Sequence, residues 1–401
     1  MGALLGLTLE HIGFLVLVAA LVAGLARKLH LPYTVGLVLT GIILAASQLA
    51  PPTPLTKQLI FSVFLPPLVF EAAFNIPWRD LRRDMVVILT LATAGVLLSA
   101  GLTAAGMHFA AGWQWTTALL FGVLIAATDP VSVIATFKEI AVQERLRVLV
   151  EAESLFNDGT AAVAFGIALA AVQGGAITGA GIAASFALTV LGGIFCGLLV
   201  AGAVLLVAGH TDDHLLEVTL TTVAAYGSFL LAEHFHLSGV LASLSAGLMI
   251  GNIGSLGAFS DKGREAVETV WEFIAFLVNS IIFLLIGLRL THENFRALWF
   301  PALVAIIVVI LGRALAVYPC CALFARSSRR VAWGHQHVLV WGGLRGALAL
   351  ALALGLPPNL PQRQAITTAA FAVVAFSVVV QGITMKPLLR KVGALSPGKG
   401  T

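Results

Sequence analysis

Apolar runs long enough to cross a bilayer recur at nearly regular spacing along the whole chain, from Ile12–Ala26 to a run centred near residue 375. Hydrocarbon offers a backbone no hydrogen-bond partner outside its own helix or closed barrel, and a helical crossing takes about 20 apolar residues. Very few folds survive that constraint. Only 10% of the residues are charged and 59% are hydrophobic, against roughly 25% charged in soluble domains. The chain is therefore read as an all-α polytopic membrane protein with about 13 transmembrane helices. The first run has no basic segment before it and no small-residue cleavage site after it, so it is read as a retained helix and not a signal peptide.

The connections assign an orientation. Of the 23 Lys and Arg residues, 17 fall in the odd-to-even connections and the tail, four fall on the opposite side, and Arg313 and Arg345 lie inside spans. Cytoplasmic loops carry the excess of positive charge, which predicts an outside amino terminus and a cytoplasmic carboxyl terminus. Thirteen spans also suggest two inverted six-helix repeats, spans 1–6 and 8–13, with broken, crossing helices at the matching spans 5 and 12. Span 5 holds Asp129-Pro130, and span 12 holds Gly342-Gly343-Leu344-Arg345-Gly346.

Charges inside hydrocarbon cost at least ~2.5 kcal/mol on insertion scales, so each marks a candidate functional site. At 1.5 Å per residue, Asp129 lies roughly 20 Å into span 5, Asp158 roughly 18 Å into span 6 and Arg345 roughly 21 Å into span 12. Three charges at one depth read as one site. Pro130 lacks an amide hydrogen, clashes with the Ala126 carbonyl and pushes Asp129 out of the α region, so backbone carbonyls are freed beside a carboxylate. Inside a membrane such carbonyls need a partner, and a dehydrated cation, water or a polar side chain can serve.

Span 6 sorts its polar groups by helical spacing. Ser154 and Asp158 stand at i and i+4 on one face, and Glu153 and Asn157 form a second such pair about 100° around the helix. The first face, meeting Asp129, offers hard oxygen ligands for a small alkali cation. The second is expected to aim Glu153 at Arg345 in an ion pair, with Asn157 as a neutral hydrogen bonder.

Thr128-Asp129-Pro130, Glu153-Ser154-Leu155-Phe156-Asn157-Asp158-Gly159 and Gly343-Leu344-Arg345-Gly346 resemble the signatures of the monovalent cation/proton antiporters of the NhaP type, bacterial and archaeal relatives of animal sodium/proton exchangers. The likeness extends over essentially the whole chain, including Pro66-Pro67-Leu68-Val69-Phe70-Glu71 in span 3. It implies a secondary active transporter of the prokaryotic inner membrane exchanging Na+ or Li+ for H+. Asp158 would be the principal cation and proton carrier, Asp129 and Ser154 side-chain ligands, the Thr128 carbonyl a backbone ligand, and Glu153 the partner of Arg345. It further implies a homodimer. Residues 1–78 and 178–290 would form the scaffold and dimer domain, and 84–172 and 296–392 the moving core. In this superfamily an electroneutral branch has Asn-Asp where an electrogenic one has Asp-Asp, so Asn157-Asp158 implies one proton per cation.

Other features carry less. Glu71 divides between an interhelix bond and an ion funnel. Glu217, Glu233 and Glu272 read as solvated carboxylates near span ends, Arg289 and Arg313 as snorkelling side chains, and His335 and His337 as interfacial. Cys196, Cys320 and Cys321 read as packing residues. No cofactor is expected; without a phosphate-binding Gly-x-x-x-x-Gly-Lys-Ser/Thr loop, ATP is not the energy source, and nucleic acid is no partner. A K+/H+ antiporter is the nearest alternative, a cation channel a more distant one. An intramembrane aspartyl protease fails for want of its Gly-x-Gly-Asp signature, so no enzyme activity is expected.

Overall fold

The computed structural model describes residues 9–29, 32–47, 55–174, 178–210, 213–254 and 259–394. All regular elements there are helical. In chain order they are α1 (Leu9–Leu29), α2 (Tyr33–Ala46), α3 (Leu65–Phe74), α4 (Trp78–Thr90), α5 (Val96–Ala111), α6 (Trp115–Leu124), α7 (Val131–Ile140), α8 (Glu144–Val172) and α9 (Gly179–Ala208). The second half runs through α10 (His214–His234), α11 (Gly239–Ile253), α12 (Asp261–Leu290), α13 (Trp299–Ala322), α14 (Trp333–Trp341), α15 (Ala347–Leu354), α16 (Arg363–Phe376) and α17 (Gly382–Lys391). Wider π-helical turns at Leu91–Gly95 and Ser377–Gln381 join α4 to α5 and α16 to α17, and Leu59–Phe64 leads into α3.

Among the described residues, seven helices are long and apolar enough to cross a membrane, and five shorter apolar helices accompany them. Two predicted interruptions stand out from that pattern. Span 5 divides into α6 and α7, and span 12 into α14 and α15, with non-helical backbone between the halves. The helix stops where the sequence says it must: Pro130 cannot donate to the preceding turn, and Gly342–Gly346 forfeits helix propensity.

Packing follows small residues. Gly41 of α2 and Gly287 of α12 bring two backbones together so closely that a Cβ on Gly41 would lie 2.9 Å from the Gly287 Cα. Membrane helices lack a hydrophobic drive toward one another, and close backbone approach supplies dispersion instead. The most extensive pairings among α1–α3 and α9–α12 are α2 with α12, α9 with α11 and α3 with α11. In the rest of the chain they are α5 with α6, α5 with α13, and α13 with α16. α8 packs on α4 and α6 and also touches α9 and α11.

Candidate ion-binding site at the helix crossing

The two interruptions meet. The Asp129 amide donates to the Leu344 carbonyl at 2.7 Å, tying one unwound segment to the other. Each half-helix end left by the breaks is then matched by a side chain. At the amino-terminal ends, the Asp129 carboxylate accepts from the Val131 amide at 2.9 Å and lies against Gly346 at the start of α15, so one anion stands at the starts of both α7 and α15. Helix N-termini carry partial positive charge, which is where an anion is favoured. At the carboxyl end of α6, the buried Arg345 guanidinium donates to the carbonyls of Ala126 and Ala127. At the carboxyl end of α14, Arg313 donates to the Leu339 carbonyl and Gln381 to that of Trp341.

Glycine is required here by contact. A Cβ on Gly346 would run into the Asp129 carboxylate, and one on Gly343 would lie 2.7 Å from the Arg313 Nε. The glycine cluster thus admits two charged side chains into the crossing.

Helix α8 supplies the facing groups. Ser154 Oγ donates to the Thr128 carbonyl and lies 3.0 Å from the Thr128 hydroxyl. The Asn157 amide donates to Thr128 Oγ1 at 3.1 Å and to Glu153 Oε1 at 3.3 Å. Asp158 is 8% exposed, and its Oδ1 has no hydrogen-bond partner among the described residues. A buried carboxylate oxygen without a donor is costly unless something visits it. Thr128, Asp129 and Asp158 together line a cavity of about 60 Å³, along with Pro130, Leu155 and Gly346. Ser154 does not line it; its hydroxyl is spent on the Thr128 carbonyl, the backbone group expected as a ligand.

One expected pair is wrong. Glu153 does not meet Arg345. It forms a bidentate ion pair with Arg313 of α13, both contacts at 2.8 Å, with both side chains buried. Arg345 is held instead by the carbonyls that the α6 break leaves unpaired, and its Nε has no hydrogen-bond partner among the described residues. The physical reason is that both arginines reach the crossing, and only the one from α13 faces the Glu153 side of α8. Arg313 therefore does not snorkel. The signal was available: Arg313 lies roughly 21 Å into its span at 1.5 Å per residue, the depth of the other charges.

Glu217 is a second correction. It is not solvated but fully buried, and it accepts from the Ser260 amide at 3.1 Å at the start of α12. Glu233 and Glu272 are exposed, as expected. Glu71 accepts from Asn75 at 2.9 Å and lines a cavity of about 350 Å³ with Glu151, Glu268, Glu272 and Arg147. Pro130 and Val131 line both this cavity and the smaller one at Asp158.

Two unwound membrane helices crossing at buried carboxylates define a class, the secondary-transporter folds built on discontinuous helices. Within that class the chain belongs to the sodium/hydrogen exchanger family, whose transmembrane-domain pattern matches residues 15–391. It is 40% identical over 368 residues to the Na(+)/H(+) antiporter ApNhaP of Aphanothece halophytica, covering 91% of this chain and 70% of the relative. It is 35% identical over 397 residues to the Na(+)/H(+) antiporter NhaP of Pseudomonas aeruginosa, covering 92% and 93% of the two chains. The fold matches the solved sodium proton antiporter MjNhaP1 of Methanocaldococcus jannaschii with a TM-score of 0.78 over 98% of this chain and 99% of that one, at 20% identity.

Proposed function

We propose that the protein exchanges Na+ or Li+ for H+ across a prokaryotic inner membrane, with Asp158 as the shared carrier of cation and proton. The observation that carries this reading is the unpartnered Asp158 oxygen, buried in a cavity lined by Asp129 and Thr128. A proton or a small cation satisfies that oxygen, and the two compete for it. The named activities of the relatives fit the same reading. Asp129 acts as a second carboxylate ligand at the start of α7, and Thr128, its carbonyl held by the Ser154 hydroxyl behind it, completes the polar wall.

Charge balance supports one-for-one exchange. Asp129, Glu153 and Asp158 stand against Arg313 and Arg345, so the fully ionised crossing carries one net negative charge. One Na+ or one H+ neutralises it. Desolvation makes a net buried charge costly to move past apolar surface, so the loaded forms cross and the bare one does not. Asn157, being neutral, preserves that count.

Alternating access then follows from motion of one helix set against the other around the crossing. We assign residues 84–172 and 296–392 to the moving core and 1–78 and 178–290 to a scaffold that dimerises. Thirteen crossings with the Lys- and Arg-rich face in the cytoplasm complete the reading. The acidic cavity beside Glu71 would then open toward the cytoplasm. The test is a pH-gradient exchange assay in proteoliposomes scanning Na+, Li+ and K+. Asp158→Asn and Asp129→Asn should each abolish cation-dependent proton release, and exchange retained in both would overturn the site.

A further inference from the structure

Of the three links that carry the chain between the two helix sets, those from α3 to α4 and from α12 to α13 are held by side chains, and held to opposite partners. The link from α3 to α4 is clamped by Asn252 of α11. Its amide donates to the Ile76 carbonyl at 3.0 Å, and its Oδ1 accepts from the Trp78 amide at 2.7 Å. The neighbouring Gly251 lies so close that a Cβ there would collide with the Phe74 carbonyl. One side chain thus takes both a backbone acceptor and a backbone donor of the link, and fixes it to α11.

The matching link of the second repeat, from α12 to α13, is fixed the other way. The Glu293 side chain is 5% exposed; it accepts from the Thr368 hydroxyl of α16 at 2.7 Å and lies 3.5 Å from Arg289 on α12. α16 packs with α13 and α15, not with the helices Asn252 serves.

We propose that Asn252 and Glu293–Thr368 are the pivots of the transport motion. The inference rests on the division into core and scaffold made above. The first link belongs to the scaffold as far as Trp78, and the second travels with the core from Glu293 onward. At these two links bending is thereby confined to the start of α4 and to the few residues after Leu290, one on each face of the bundle. Hinges of this kind are a few element-terminal residues that absorb the dihedral change far from the chemistry. Asn252 and Thr368 are positioning residues and touch no transported ion.

The test compares Asn252→Ala, Thr368→Val and Thr368→Ser in proteoliposomes, normalised to folded protein, with Na+ binding measured separately by Na+-dependent thermal stabilisation. Asn252→Ala and Thr368→Val should each lower exchange turnover by about threefold or more while equilibrium Na+ affinity stays within about twofold. Thr368→Ser keeps the hydroxyl and should match wild type. Wild-type turnover in both Asn252→Ala and Thr368→Val overturns the proposal, as does an equal loss of turnover in Thr368→Ser or a fall in Na+ affinity parallel to the rate. If Asn252→Ala does not fold, Asn252→Asp carries the same test, since it keeps an acceptor for the Trp78 amide and loses the donor to Ile76. Asp158→Asn run alongside separates the two readings: it should lose the Na+-dependent stabilisation, and if it does not, the site assignment fails independently of the pivots.

Discussion

Glu153 and Asp158 lie little more than a helical turn apart on α8, both carboxylates, both buried. Glu153 has both oxygens taken by Arg313 and a further donor in Asn157. Asp158 has one oxygen with no partner, facing the wall of a small cavity. The difference teaches how a membrane protein divides labour between like groups. A carboxylate whose two oxygens are both held by donors can hold helices together but has little left for a visitor. One left partly unsatisfied is unstable alone and ready to bind.

The strongest way to break that contrast is at Asp158. Asp158→Asn should eliminate Na+-dependent proton movement in proteoliposomes while leaving thermal stability close to wild type, because an amide satisfies the lone oxygen no worse than before. Loss of folding in this variant would make Asp158 a structural group like Glu153.

Neutralising either member of the other pair should do the reverse. Glu153→Gln or Arg313→Gln leaves a buried unpaired charge, and removing one partner of such a pair costs about 3–5 kcal/mol. The double replacement Glu153→Leu with Arg313→Met should recover most of the thermal stability. A stable, fully active Arg313→Gln would show that Arg313 is not the partner that matters; a collapse in Arg345→Gln larger than in Arg313→Gln would restore the pairing expected from sequence.

Asn157→Asp sharpens the charge count. It adds a second net negative charge at the crossing, so exchange, where it persists, should respond to an imposed membrane potential. Flux of Na+ at zero pH gradient with and without a valinomycin-set potential measures this, and wild-type flux that is driven by the potential would overturn one-for-one stoichiometry.

The smallest effect is expected at Ser154. Its hydroxyl contributes one hydrogen bond to the Thr128 carbonyl, worth about 1 kcal/mol net. Ser154→Ala should therefore weaken apparent Na+ affinity roughly fivefold at most, from that figure, with turnover retained. A loss as complete as that of Asp158→Asn would make Ser154 a principal ligand.

Much of this was legible in the chain itself. Apolar runs fix the class of elements because hydrocarbon tolerates so few backbone arrangements. Asp129-Pro130 and the Gly342–Gly346 cluster mark the breaks because proline and glycine act locally on backbone geometry. Depth counting brought Asp129, Asp158 and Arg345 into one layer; in the fold Asp129 is tied to Leu344, Arg345 to Ala126, and Asp129 and Asp158 line one cavity. The same counting applied to Arg313 would have added it. Glu217 was less accessible, since its burial depends on the start of α12 folding back over it, 43 residues further along at Ser260.

Sequence alone determined the class of fold, where its helices break, and which residues at the crossing carry charge, all of them local or one-dimensional properties. Tertiary structure decided the pairing. Which arginine meets Glu153 depends on how α13 and the α14–α15 break are rotated about α8, and a depth along a span says nothing about azimuth. That rotation sends Arg345 to the carbonyls of a broken helix, gives Glu153 to Arg313, and leaves Asp158 with an oxygen to spare.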